Sequence, residues 1–146
     1  LDLVTDSPAV TPLDAGGLVV HRGVRAYTPA WFDLWRRADL FAMPTRGEAF
    51  GMVFQEAAAA GLPSIGTRIN AIPEIVQHAA TGLLVPPDDP RALAVALRRL
   101  IGDAPMRARL ARAARARIEQ IASLERYGAR LGAILRQAAE RTRSAT

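Results

Sequence analysis

The feature that most constrains this chain is a regular alternation of short apolar runs with helical segments, each boundary marked by proline, glycine or a capping residue. Leu1–Thr5 reads as a strand, followed by a loop with Pro8, Pro12 and Gly16-Gly17, and then a second strand, Leu18–Val20. Thr28-Pro29 places a capping hydroxyl before a proline at the first helical position, which predicts a helix to about Arg37. Asp39–Met43 is apolar and closed by Pro44, the pattern of a buried strand. A helix is expected from about Gly51 to Ala60, ended by Gly61 with Pro63 just beyond. Leu62–Thr67 and Gly82–Val85 read as further strands, with a short helix over Ile72–His78 between them. Asp89-Pro90 caps a helix to about Ile101.

Strands that alternate with helices predict βαβ units, a parallel sheet and a Rossmann-like α/β class with helices on the sheet faces. Ligands of such sheets bind at the carboxyl ends of strands. The loops after Met43 and after Thr67 are therefore where chemistry is expected.

Two more helices finish the chain. In Ala104–Ile118 the residues Met106, Leu110, Ala113, Ala114 and Ile118 share one face, and in Ser123–Arg141 the residues Leu124, Tyr127, Leu131, Ile134, Leu135 and Ala138 form a stripe. Residues 1–103 are thus expected to form a Rossmann-like domain. Residues 104–146 are expected to be amphipathic docking helices.

Charge is distributed unevenly: residues 1–90 hold six Arg and ten acids, residues 91–146 thirteen Arg and four acids, and there is no Lys. An Arg-rich end suits acidic lipid or nucleic acid, but charges spaced along amphipathic helices are more commonly a solvated face. The expectation is no nucleic acid, with peripheral membrane contact left open. The absence of cysteine excludes disulfide and thiolate-metal frameworks and fits a cytoplasmic protein. No apolar run reaches the roughly 18 residues of a membrane span.

Glu48 and Glu56 flank the start of the Gly51 helix. A nucleotide sugar offers ribose hydroxyls, a diphosphate and sugar hydroxyls. Carboxylates accept from the hydroxyls, and free N–H groups in a first helical turn suit phosphate oxygens. Gly51 lets a ligand approach the backbone, with Met52 and Val53 as further donors. Eight residues of helix would span about 12 Å, the scale of a diphosphate bridging two sugars and too long for an acid–base pair on one bond. On spacing alone the commoner reading is a charge favouring a helix start and a surface acid. His21 and His78 match no ligand spacing and read as structural or surface residues, and Trp31 and Trp35, on one helical face, read as packing.

The whole segment Ala38-Asp39-Leu40-Phe41-Ala42-Met43-Pro44-Thr45-Arg46-Gly47-Glu48-Ala49-Phe50-Gly51-Met52-Val53-Phe54-Gln55-Glu56-Ala57 closely resembles the signature of family 4 glycosyltransferases. So do Ala60-Gly61-Leu62-Pro63, Ile72-Pro73-Glu74-Ile75-Val76 and Thr81-Gly82-Leu83-Leu84-Val85-Pro86-Pro87 at their spacings. The resemblance implies the C-terminal, donor-binding half of a GT-B fold, a parallel Rossmann-like sheet flanked by helices with extra C-terminal helices, in a chain that begins after the domain's first strand. Residues 1–103 would then be a partial nucleotide-sugar-binding domain, and residues 104–146 helices that pack on it or on an N-terminal domain absent from this chain. It implies sugar transfer from a nucleotide-sugar donor, with retention of configuration, to a glycan, lipid or small-molecule acceptor, and no metal or other cofactor. The mechanism usually proposed is a front-face substitution in which the leaving diphosphate helps to deprotonate the acceptor.

Carried onto this sequence, Glu48 is the catalytic position, contacting hydroxyls of the transferred sugar. The backbone of Phe50, Gly51, Met52 and Val53 lines sugar and phosphates, Glu56 takes the ribose, and Val24 falls where the family places a base-contacting loop. The sequence departs from the pattern at Asn70-Ala71, where the family usually has Gly-Gly. Two rival readings are a nucleotide-sugar epimerase of the same fold and a non-catalytic nucleotide- or polyanion-binding module.

Overall fold

The alternation in the sequence becomes two sets of parallel strands. The computed structural model describes residues 1–7 and 17–143, so the expected loop around Pro8, Pro12 and Gly16 lies outside the described residues, as does the side chain of Ala138. The chain divides after Ala38 into two compact units, residues 1–38 and residues 39–146.

In the first unit β1 (Asp2–Val4) and β2 (Val19–His21) pair in parallel, Leu3 opposite Val20. Helix α1 (Pro29–Arg37) follows. Its bounds are those the sequence predicts because the signals are local: the Thr28 hydroxyl accepts from the Trp31 N–H, and Pro29 presets the first helical φ. Trp31 and Trp35 meet edge to face with ring centroids 5.3 Å apart.

The second unit is built on β3 (Phe41–Met43), β4 (Ser64–Thr67) and β5 (Gly82–Val85), all parallel and in chain order. The register aligns Ala42, Ile65 and Leu83 on one sheet face and Met43, Gly66 and Leu84 on the other. On the first face, α4 (Pro90–Gly102) and the start of α5 (Ala104–Ile121) bring Ala96, Leu100, Met106 and Leu110 against Ile65, Leu83 and Val85. On the second, α2 (Met52–Ala59) and α3 (Ile72–Ile75) pack Phe54, Ile72 and Ile75 against Leu84. The later half of α5 meets α2 through Ala114, Ile118 and Ala58, so α5 ties the two layers together. Phe54, Ile65, Ile72 and Leu100 are fully buried, each worth about 1.5–3 kcal/mol of transfer free energy.

Two glycines permit this closeness. A β-carbon on Gly66 would stand 2.9 Å from the ring of Phe54, and one on Gly82 would stand 2.4 Å from the main-chain oxygen of Ser64 on the neighbouring strand.

Two expectations change. Strands β1, β3 and β4 are shorter than their apolar runs, because a strand lasts only as long as its neighbours pair with it, whereas β2 is shifted by one residue and β5 has the expected bounds. The helix expected over Ile72–His78 stops at Ile75, because downstream side chains capture its continuation: the Gln77 N–H donates to the Thr81 hydroxyl, and His78 Nδ1 accepts from the Leu84 N–H. The last helix, α6 (Leu124–Arg143), carries its apolar stripe exposed, from 41% at Leu131 to 88% at Leu124. Several α5 arginines are engaged with backbone: Arg107 donates to the carbonyls of Leu100 and Ile101, and Arg117 to that of Glu74. No helix among the described residues is long and apolar enough to cross a membrane.

Candidate functional site

The carboxyl ends of β3, β4 and β5 converge on the loop that carries Glu48. Thr67, the last residue of β4, is buried and donates its hydroxyl to the Thr45 carbonyl at 2.7 Å. Asn70, in the loop after β4, donates its side-chain amide to the main-chain oxygen of Glu48 at 2.7 Å. Arg46 forms an ion pair with Asp88, in the loop after β5. Thr45 closes the turn locally, its hydroxyl donating to the Gly47 carbonyl at 2.6 Å.

This loop ends in Gly51, whose φ of +83° only glycine adopts without strain. The position is doubly constrained, since a β-carbon there would stand 3.0 Å from the Phe54 ring. Gly51 is the N-cap of α2 and offers no side-chain cap, so the first-turn N–H groups of Met52 and Val53 have no intrahelical acceptor. Glu48 instead binds the N-cap residue itself: its Oε1 accepts from the Gly51 N–H at 3.1 Å. A carboxylate at a helix start is favoured by the macrodipole, and it keeps acceptor capacity for further donors.

Glu48 and Glu56 are half-buried, Val53 is half-buried, and Phe50 and Met52 are exposed at 50% and 61%. The structure therefore brings Glu48, Phe50, Gly51, Met52, Val53 and Glu56 together on one loop and the helix it feeds. The stretch between the two acids is not helical throughout. Helix α2 begins at Met52, so only the last four steps to Glu56 rise as a helix, about 6 Å. The rest is the folded turn that returns Glu48 to Gly51.

Val24 belongs to the first unit, where it is half-buried and lines an open pocket of about 290 Å3 with His21, Ala30, Asp33, Leu34 and Arg37. Its loop is fixed by the Gly23 N–H donating to Asp6 Oδ1 at 2.7 Å. His21 hydrogen-bonds Asp2 at 2.6 Å, and that bond, joined by the positive field of Arg37, holds the Asp2 carboxyl below its ordinary range. Neither histidine joins a group of three or more potential metal ligands among the described residues.

Sequence reasoning named the loops after Met43 and Thr67 but not the residues that bind them together. Thr67, Arg46 and Asp88 carried no individual signal, and Asn70 registered only as a departure. The rule that parallel strands present ligands at their carboxyl ends points to all of these positions once the loop after β5 is included.

Residues 10–103 match the model of the family described as glycosyl transferases group 1. The chain belongs to that family. Among curated relatives, it is 44% identical over 91 residues to an exopolysaccharide phosphotransferase of Streptomyces coelicolor, covering 60% of this chain and 10% of the relative. It is 43% identical over 104 residues to the D-inositol 3-phosphate glycosyltransferase of Salinispora tropica, covering 68% of this chain and 22% of the relative. The chain thus spans well under half the length of these relatives. Among solved structures, HepE of Anabaena in complex with UDP superposes with a TM-score of 0.73 at 26% identity, over 82% of this chain and 32% of HepE. HepE has also been solved with UDP-glucose. The group 1 fold expected from the sequence, helices flanking parallel strands in the GT-B manner with extra C-terminal helices, is the fold observed.

Proposed function

We propose that this chain is the donor-binding part of a glycosyltransferase that moves a sugar from a nucleotide-sugar donor to a glycan, lipid or small-molecule acceptor with retention of configuration. The observation that carries the reading is the Glu48–Gly51 contact: a carboxylate held at a helix start without a side-chain cap, on a loop pinned from the ends of β4 and β5. Such a place offers acceptors for sugar hydroxyls beside N–H donors for oxygens that become negative as the donor bond breaks.

In this reading Glu48 orients the transferred sugar and stabilises the positive charge developing on it. The backbone from Phe50 to Val53 lines sugar and diphosphate, Glu56 accepts from the ribose and Val24 lies by the base. The leaving diphosphate accepts the acceptor's proton, and the step draws on no metal or cofactor. The bound UDP and UDP-glucose of HepE support a donor of this chemical class. The C-terminal helices pack on the rest of the complete protein, which works in the cytoplasm or at a membrane surface and binds no nucleic acid.

The test is donor turnover by the complete protein with Glu48 and Glu56 substituted singly. Loss of transfer in the first and weakened donor binding in the second are expected. Full activity in both variants would remove the assignment.

A further inference from the structure

Glu48 is held at two points. Its carboxylate receives the Gly51 N–H, and its main-chain oxygen receives the side-chain amide of Asn70 at 2.7 Å. The first contact lies within three residues of chain, whereas the second crosses from the loop after β4 to the loop after β3, 22 residues apart. A carbonyl oxygen only accepts, so the Asn70 side chain must present its NH2 there, and no other orientation of the amide serves.

The backbone of Asn70 is itself unusual. Its φ is +46°, in the left-handed region that side chains rarely adopt. Glycine takes that conformation freely and asparagine tolerates it better than most residues. Glycine would satisfy the backbone and lose the donor. Asparagine satisfies both, and the residues that follow it turn at once into α3, with the Ile72 N–H on the Ile69 carbonyl at 3.2 Å.

We propose that Asn70 is a positioning residue: its amide, donated to the Glu48 carbonyl from the neighbouring strand end, fixes where the Glu48 carboxylate stands against the transferred sugar. The proposal rests on the donor-site reading and gives that site a selective element. Asn70 acts on the sugar end, through Glu48, and leaves the nucleotide end, held at Glu56, untouched.

Asn70→Gly tests this, because glycine keeps the backbone conformation and removes only the donor. Asn70→Asp is the companion variant, equal in shape but presenting an acceptor to an acceptor. The complete protein is used throughout, with thermal unfolding to confirm folding. Hydrogen exchange of the unliganded protein reads the brace directly: in Asn70→Gly the Gly51 amide should exchange about two- to tenfold faster, the range one hydrogen bond supports. With UDP-glucose as the probe donor, kcat should fall by a similar factor while UDP affinity stays within about twofold, and Asn70→Asp should be the more impaired variant.

Unchanged exchange at Gly51, or equal losses for UDP and UDP-glucose, overturns the role for Asn70 even if Glu48→Gln abolishes transfer. If exchange responds but the wild-type protein binds neither probe, the brace stands and the donor-site reading, with the selective role built on it, falls.

Discussion

The Glu48 carboxylate accepts from the N–H of Gly51, the residue that opens helix α2, at 3.1 Å. One acid therefore serves the fold and the proposed chemistry, and the two uses can be separated by substitution. Glu48→Gln keeps an oxygen that can accept from Gly51 but removes the charge. The expected outcome is a protein of near-normal thermal stability whose kcat falls about ten- to a hundredfold, the range for losing a hydrogen bond to a charged group. Glu56→Ala should instead raise KM for the donor, about tenfold, with the smaller effect on kcat. Steady-state kinetics of both variants check the division.

The strand glycines make a prediction about stability alone. Gly82→Ala sets a methyl group against the Ser64 carbonyl oxygen, backbone that moves only with its whole strand. Gly66→Ala presses on the Phe54 ring and an Ile72 methyl, buried side-chain atoms that can shift without moving a strand. Overpacking of this kind costs about 1–3 kcal/mol. Gly82→Ala should lie at or above the top of that range and Gly66→Ala below it, as chemical denaturation would measure.

Asp103 ends α4 and begins α5, its carboxylate accepting from the Met106 N–H at 2.8 Å. Removing it in Asp103→Ala should cost about 1 kcal/mol. Because Met106 and Leu110 reach the sheet from this corner, the loss should appear as a lower unfolding midpoint with unchanged secondary structure.

Transfer in the proposed mechanism draws charge stabilisation from backbone and carboxylate groups. Turnover by the complete protein should then survive a chelator such as EDTA within about twofold. A large loss restored by a divalent cation would require a different account of how the diphosphate leaves.

How much of this was legible in the sequence follows how local each cause is. The start of helix α1 is predicted to the residue because its cap and its proline are neighbours in sequence. Helix α3 is predicted too long because its end is decided by Thr81 and by the pairing of His78 with β5, beyond the reach of a helical periodicity. At the site, Glu48 and Gly51 are three residues apart and could be named from the segment itself. The hydrogen bonds from Thr67 and Asn70 join loops more than 20 residues apart and exist only once the strands are side by side. The stripe on α6 was legible as a pattern, but a pattern names a face and not what covers it.

The strands of the second unit lie side by side in the order in which they occur along the chain. During synthesis, β4 can pair with β3 as soon as it emerges, with α2 already made, and β5 then extends the growing edge. Among the described strands of this unit none is inserted between two others, so the topology lets the Glu48 loop acquire its anchors in the order of the chain: first Thr67, then Asn70, then Asp88.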